Sequence, residues 1–541
     1  MQVSRPGPFA SLAEALRALL LTAIFCVFVF ALPSYSQTFP QDVLTYHNNN
    51  SRTGLDPVET ILTPSNVSTG TFGKILNLPV DGHVDAQPLY LTSVTAGGVN
   101  RNLLIVATEA DSLYAFDADT GVKVWRVSML RAGETAADNR GCGSKAPSIG
   151  IQSTPVIFRP KTGDPMIYVE SMSKDAAGNY HQRLHAVDAT NGSQAGHTAV
   201  DIAASFPGTG DNSFNGKVIF DPGQYRERAG LTLIGHTVYL AFGSLCDVRP
   251  YTGWIMGYNT TTLAQTSVLN VTPNGDEGGI WGSGAGLAAD GDGNIFLADG
   301  NGYFDTTLNS SGFPANGDYG NALLKLTTAG GLAVADYFEM YNQVSENGQD
   351  LDLGSGGIVL ISPKDSSGTV WQLAIAAGKD YNIYVVDRTN MGKFNSTTNK
   401  IRQQLTGALP GGIWSMPAVY NGRIYYGPVT SSILAFQIQN AKLVAQPVAR
   451  SQPTFVYPGT TPSISANVNQ NGIVWAVENS NPAVLHAFDA NLNELYNSAQ
   501  APNSRDQFGP GNRFITPTIA NGKVYVGTPN SVAVFGLLTD K

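Results

Sequence analysis

Cysteine is nearly missing from this chain of 541 residues, which holds three: Cys26, Cys142 and Cys246. No Cys-x-x-Cys-His occurs, so a covalently attached haem is excluded. Charge is scarce too. Only 13% of residues are ionised, the formal net charge is −9, and there is no basic patch, which argues against nucleic acid as a partner. Sustained 3.6-residue periodicity is absent beyond the N-terminus, so a helical protein is excluded. Long apolar runs are missing except for residues 18–32, fifteen in all and broken only by Thr22. Arg5 and Arg17 flank that run, and Ser34-Tyr35-Ser36 places small residues before Gln37, the pattern of a signal peptide over 1–36. The alternative is a retained signal anchor, but fifteen residues fall short of the roughly 20 that a span needs. Cys26 lies in the middle of the run, which does not support a lipoprotein anchor. The mature chain, 37–541, is expected to be secreted or periplasmic, with no stable membrane span once the signal is removed. Cys142 and Cys246 would then share an oxidising compartment, where two thiols are expected to pair.

What the chain does have is glycine, 59 residues, with abundant Asn, Thr and Ser, a composition suited to short strands and tight turns. It also has a repeat. LYAFDADTGVKVWR from Leu113 reads as strand, turn, strand, with Gly121 able to take the positive φ that closes a hairpin. Fainter copies start at Leu184, Met256, Leu323, Tyr384, Leu434, Leu485 and Val532, at spacings of 47 to 72 residues. Eight such units are the signature of an all-β fold, an eight-bladed β-propeller in one domain over 37–541. Seven blades and a stray hairpin would read similarly. The first blade is expected at 87–91, 103–108, 113–117 and 123–128, and later inner strands near Ser153, Leu231, Gly284, Gly357, Met416, Ser463 and Thr516. The last unit is short of one strand. The strand-like stretch 72–80 is expected to supply it and so close the ring, removing two exposed edges. Residues 132–149, 200–228 and 303–319 read as long Gly-, Asn- and Asp-rich loops, where function is expected to sit.

Six further segments lie in a telling order. TYHNNNSRTG opens the mature chain. GGIWGSGAG and NIFLADGNG follow from Gly278 and Asn294, then QDLDLGSGG from Gln349, LAIAAGKDYNIYVVDRTN from Leu373 and GGIWSMPAVYNGRIYYG from Gly411. With the repeat, these resemble the quinoprotein alcohol dehydrogenases, which carry pyrroloquinoline quinone (PQQ) and calcium or a lanthanide on an eight-bladed propeller. The resemblance spans roughly residues 46–427 and is patchy between motifs.

The resemblance implies a PQQ- and metal-dependent oxidoreductase of an alcohol or sugar that passes electrons to a separate acceptor. Trp281 matches the stacking floor beneath the quinone, Lys379 the cation at its oxygens, and Trp414 a further wall residue. Asn301 matches an amide ligand of the metal, and Asp352 the extra carboxylate of lanthanide-using members. Asp350 matches the catalytic base. If 349–353 is a strand, Asp350 and Asp352 share one face and can converge on one ion. The chain departs from the family twice. Asp247 stands about where the family has a glutamate ligand and reaches one methylene less. The family's two adjacent cysteines are represented by Cys142 alone, with Cys246 directly before Asp247. A second reading follows from those departures: an exported propeller of the same type that binds protein or carbohydrate without chemistry.

Overall fold

In the computed structural model of the chain, residues 1–2, 41–142, 146–194 and 199–538 are described. The expected signal segment, its cleavage site and Cys26 fall outside them, apart from the first two residues. Everything below belongs to one unit, Phe39–Lys541.

The repeat forms strands for a local reason. In the first copy the Asp117 carboxylate accepts hydrogen bonds from the backbone N–H groups of Asp119 and Thr120, and Gly121 takes a φ of 76°. The side chain thus stands in for a backbone turn, and the chain reverses between Ser112–Asp117 and Lys123–Ser128. Asp188, Asn259, Asp387 and Asp489 make the same turn in later copies.

Eight antiparallel sheets of four or five strands follow one another along the described chain. The first is Leu89–Ala96, Val99–Thr108, Ser112–Asp117 and Lys123–Ser128. The first strands of the next seven begin at Val156, Thr232, Ala288, Val359, Ala418, Ser463 and Thr518, each within four residues of its expected start. In the last sheet Phe72–Pro79 pairs antiparallel with Ser531–Leu537, from Phe72 opposite Leu537 to Pro79 opposite Ser531. Part of the expected loop 200–228 is a ninth, three-stranded sheet: Ser205–Pro207, Ser213–Phe214 and Lys217–Ile219.

Packing follows sequence order. One apolar cluster joins the first sheet (Leu104, Ala115) to the second (Ile167, Val187) and also to the last (Tyr525, Val532). The other clusters join second to third, third to fourth, and so on to seventh with eighth. A sheet apolar on both faces thereby buries both.

A short stretch before the first sheet touches the first strand of seven of the eight and, in the last, the turn that follows it. Val43 exchanges backbone hydrogen bonds with Tyr90, and Leu44 O accepts from Ile157 N. Asn50, Ser51, Thr53 and Gly54 offer their carbonyls to Ala289, Leu360, Val419 and Ile464. The third sheet is reached by Arg52, whose guanidinium donates to Thr232 Oγ1 at 2.6 Å, and the eighth by Glu59, which accepts from Gly522 N at 2.8 Å. Arg52 is fully buried, and its donors also satisfy the carbonyls of Tyr46 and Leu287. Among the described residues no helix is long and apolar enough to cross a membrane.

Candidate functional site

Trp281, Trp414, Lys379, Asp352 and Asp247 line a single cavity of about 310 Å³, the size range of small-molecule sites. Glycines set the position of both tryptophans. A Cβ on Gly243 or Gly300 would stand 2.7 Å from the Trp281 ring, and one on Gly412 would stand 2.7 Å from Trp414. The indoles therefore lie directly on backbone, which gives the glycines of GGIWG, GNG and GGIWS a packing reason. Tyr251 meets Trp281 edge-on at 6.3 Å and Tyr457 meets Trp414 at 5.6 Å.

Asp350 and Asp352 do not lie on a strand. They follow the one short α-helix among the described residues, Gln343–Gly348; Asp350 has a φ of 56°, and Asp352 precedes the 3-10 turn Leu353–Ser355. The alternation expected of a strand is therefore absent. A lysine joins the two carboxylates instead: Lys379 Nζ lies 2.7 Å from Asp350 Oδ1 and 2.6 Å from Asp352 Oδ2. Their surroundings differ. The Asp350 side chain is 66% exposed and that of Asp352 8%. Asp350 is not a lining residue and meets the cavity through Lys379. Asn301 braces both, its backbone N–H donating to Asp352 Oδ1 at 2.7 Å and its amide to Asp350 Oδ1 at 3.0 Å. Asn301 Oδ1 is buried and has no partner. Burial pushes the Asp352 carboxyl up against the opposing pull of Lys379 and the Asn301 N–H. Burial also works against the Lys379 charge, but Asp352 and Asp350 outweigh it and raise the ammonium above its ordinary value.

Cys142 and Cys246 are joined in a disulfide, Cα to Cα 5.0 Å, across 104 residues of sequence. The bridge ties the loop after the first sheet to the turn that presents Asp247, whose carboxylate accepts from the Tyr251 hydroxyl. Asp247, Asp350 and Asp352 do not all approach within 4.8 Å of one another. Among the described residues the group of three that does is His83, Asp85 and Glu109. Sequence reasoning missed Glu277, directly ahead of GGIWG. Burial, then the neighbouring charges of Asp276 and Asp247, push it up to about 7, with Asp352 adding a smaller push.

It also missed the cations. Arg226, Arg228 and Arg513 line the same cavity as Lys379. Arg228 lies over the Phe514 ring at 4.5 Å and Arg513 over Tyr457 at 5.4 Å. The signal was present for two of them: positions 226 and 228 bracket the end of the strand Tyr225–Glu227, and i, i+2 spacing on a strand points both one way.

No family model matches this chain, and no curated protein matches it. Solved structures do. A quinohemoprotein alcohol dehydrogenase from Comamonas testosteroni is 14% identical over 92% of this chain and 80% of its own, with a TM-score of 0.57. Another, from Pseudomonas putida, is 13% identical over 93% and 81%, with a TM-score of 0.62. The fold is that of the quinoprotein alcohol dehydrogenases. A europium-containing methanol dehydrogenase shares it too, at 11% identity over 92% of this chain and 98% of that one, with a TM-score of 0.59.

Proposed function

We propose that this chain is an exported, PQQ- and metal-dependent oxidoreductase of an alcohol or sugar, built on a closed eight-bladed propeller, with 1–36 as its signal peptide. The observation that carries the reading is the composition of one cavity. A glycine-backed tryptophan, four cations and the buried Asp352 carboxylate surround a space of about 310 Å³, and Asn301, whose amide oxygen is buried without a partner, stands behind Asp352 and donates its N–H to it. A planar tricarboxylate needs an aromatic wall and cations, and a hard metal ion needs oxygen donors; the residues present fit both.

When bound, PQQ supplies the two-electron acceptor and the cation a Lewis acid. Trp281 provides the stacking surface, and Arg226, Arg228 and Arg513 complement the carboxylates. Lys379 donates hydrogen bonds to a quinone oxygen. Asn301 Oδ1, Asp352 and Asp247 hold the cation, with Glu277 beside them to make up the reach that Asp247 lacks. Asp350, the solvent-exposed carboxylate, takes the proton of the substrate hydroxyl. With no haem attachment motif in the chain, the electrons pass to a separate acceptor. The disulfide suits an oxidising compartment, secreted or periplasmic.

The test is reconstitution. Mature protein mixed with PQQ and calcium or lanthanum is expected to keep quinone absorbance through desalting and to oxidise alcohols with a dye acceptor. Asp350→Asn is expected to lower turnover by about 10²–10⁴-fold while quinone is retained. Asp352→Asn is expected to release metal and quinone together. Quinone that washes out of the wild-type protein with either metal would leave the cavity as a binding site without chemistry, the second reading.

A further inference from the structure

A second group of ligating side chains stands on the same cavity, away from Trp281 and Lys379. His83 and Asp85 line it, and Glu109 lies behind them. The segments are fixed to each other, since Glu109 N donates to His83 O at 2.9 Å and Glu109 O accepts from Ser148 Oγ and Gly150 N. One ligand atom from each of the three side chains lies within 4.8 Å of the other two. Bonds of about 2.0–2.2 Å to one ion at tetrahedral angles put ligand atoms about 3.4 Å apart, so side-chain movements of about 1 Å or less complete the sphere.

Two observations show that the group lacks something. Glu109 is fully buried, and its Oε2 has no hydrogen-bond partner, while its Oε1 accepts from Gln152. A buried carboxylate oxygen left alone is costly. Among the described residues no hydrogen bond reaches either ring nitrogen of His83. Asp85 has one partner, Asn512, at 2.6 Å. Arg226 is the opposing charge on this wall and bonds to Gln152. Two carboxylates and one guanidinium sum to −1, so a divalent ion leaves +1, not a large excess.

We propose that His83, Asp85 and Glu109 form a second metal site, for a divalent transition ion of the zinc or manganese type. One imidazole with two carboxylates is a borderline donor set, unlike the all-oxygen set around Asn301. Water from the cavity fills the remaining positions.

The test uses the full mature chain, stripped with chelator and free of quinone, so that its outcome is separate from that of the oxidoreductase reading. Equilibrium dialysis against Zn2+ is expected to show one saturable equivalent, with Co2+ giving a visible d–d spectrum at the same stoichiometry. His83→Gln and Glu109→Gln should each weaken Zn2+ binding by at least about tenfold, whereas Asp352→Asn should leave it unchanged. His83 is half-exposed, so its variant keeps the test valid even where Glu109→Gln melts early. Absence of a saturable equivalent, unchanged affinity in His83→Gln, or equal loss in Asp352→Asn would each overturn the proposal.

Discussion

Gly243 and Gly300 hold Trp281 in place by lacking a side chain, and this makes the smallest possible substitution informative. In Gly243→Ala the new methyl would stand 2.7 Å from the indole, with strand backbone behind it. The ring must move, at about 1–3 kcal/mol. Intrinsic fluorescence should shift and quinone retention should fall, while Gly291→Ala, where a Cβ meets nothing within 4 Å, should stay within about 0.5 kcal/mol of wild type. An unchanged fluorescence and quinone affinity in Gly243→Ala would mean the glycine contact does not position the ring. At this scale the sequence was legible where a residue sat inside a motif, as Trp281, Asn301, Asp352 and Lys379 did. His83, Asp85 and Arg513 carry no local pattern that announces a site, and Arg226 and Arg228 show only the i, i+2 spacing at a strand end. They come from distant parts of the chain, and only the assembled fold brings them to one cavity.

Among elements, the loops on either side of the disulfide are the most telling. The bridge closes 104 residues of sequence and holds the turn that carries Asp247. Reduction is expected to lower stability by about 2–4 kcal/mol, read from urea denaturation with and without reductant. It should also loosen calcium or lanthanide, because Asp247 directly follows Cys246. A Cys142→Ser/Cys246→Ser variant with undiminished metal retention would separate the bridge from the metal site. The strand Phe72–Pro79 invites a second experiment. A chain begun after residue 82 leaves the Ser531–Leu537 edge unpaired, so it should melt lower and aggregate on heating, followed by light scattering. Strand positions were legible because an Asx turn fixes the hairpin locally in five of the eight copies. The setting of Asp350 and Asp352 was not, because a short helix and a positive φ replace the strand that their spacing suggested.

For the whole molecule, buried acids set the response to pH. Desolvation raises Asp318 to about 6, Asp56 to about 7 and Glu227 to about 8, and raises Asp111, Glu170, Asp299 and Glu339 well above their ordinary values. Unfolded carboxyls titrate near 4, so the folded state binds more protons above that and stability falls as pH rises. His47 and His185, lowered to about 4 by burial, act in the opposite sense up to about 6.5 and then cease. Between pH 6.5 and 8 the raised acids act in the same sense as His486, which, against its burial, Glu478 and Glu494 hold above its ordinary value, and the urea midpoint of metal-free protein is expected to fall. A midpoint that rises across that interval would show these carboxyls to be ionised in the folded state. The all-β repeat architecture was legible throughout, since strand-turn-strand copies recur along the chain, 47 to 72 residues apart. The segment from Val43 to Glu59 was not, because its contacts are with partners up to 463 residues away.

That segment has a consequence in time. Glu59 and Phe72–Pro79 leave the ribosome long before Gly522 and Ser531–Leu537, which they pair with. Those contacts cannot form in the order of synthesis. Until that sheet exists, Phe72–Pro79 waits without its partner, and its edge stays open to other chains. Such long sequence separations slow folding and lengthen the exposure of aggregation-prone intermediates. A chain that lacks Ser531–Leu537 loses the partner of Phe72–Pro79.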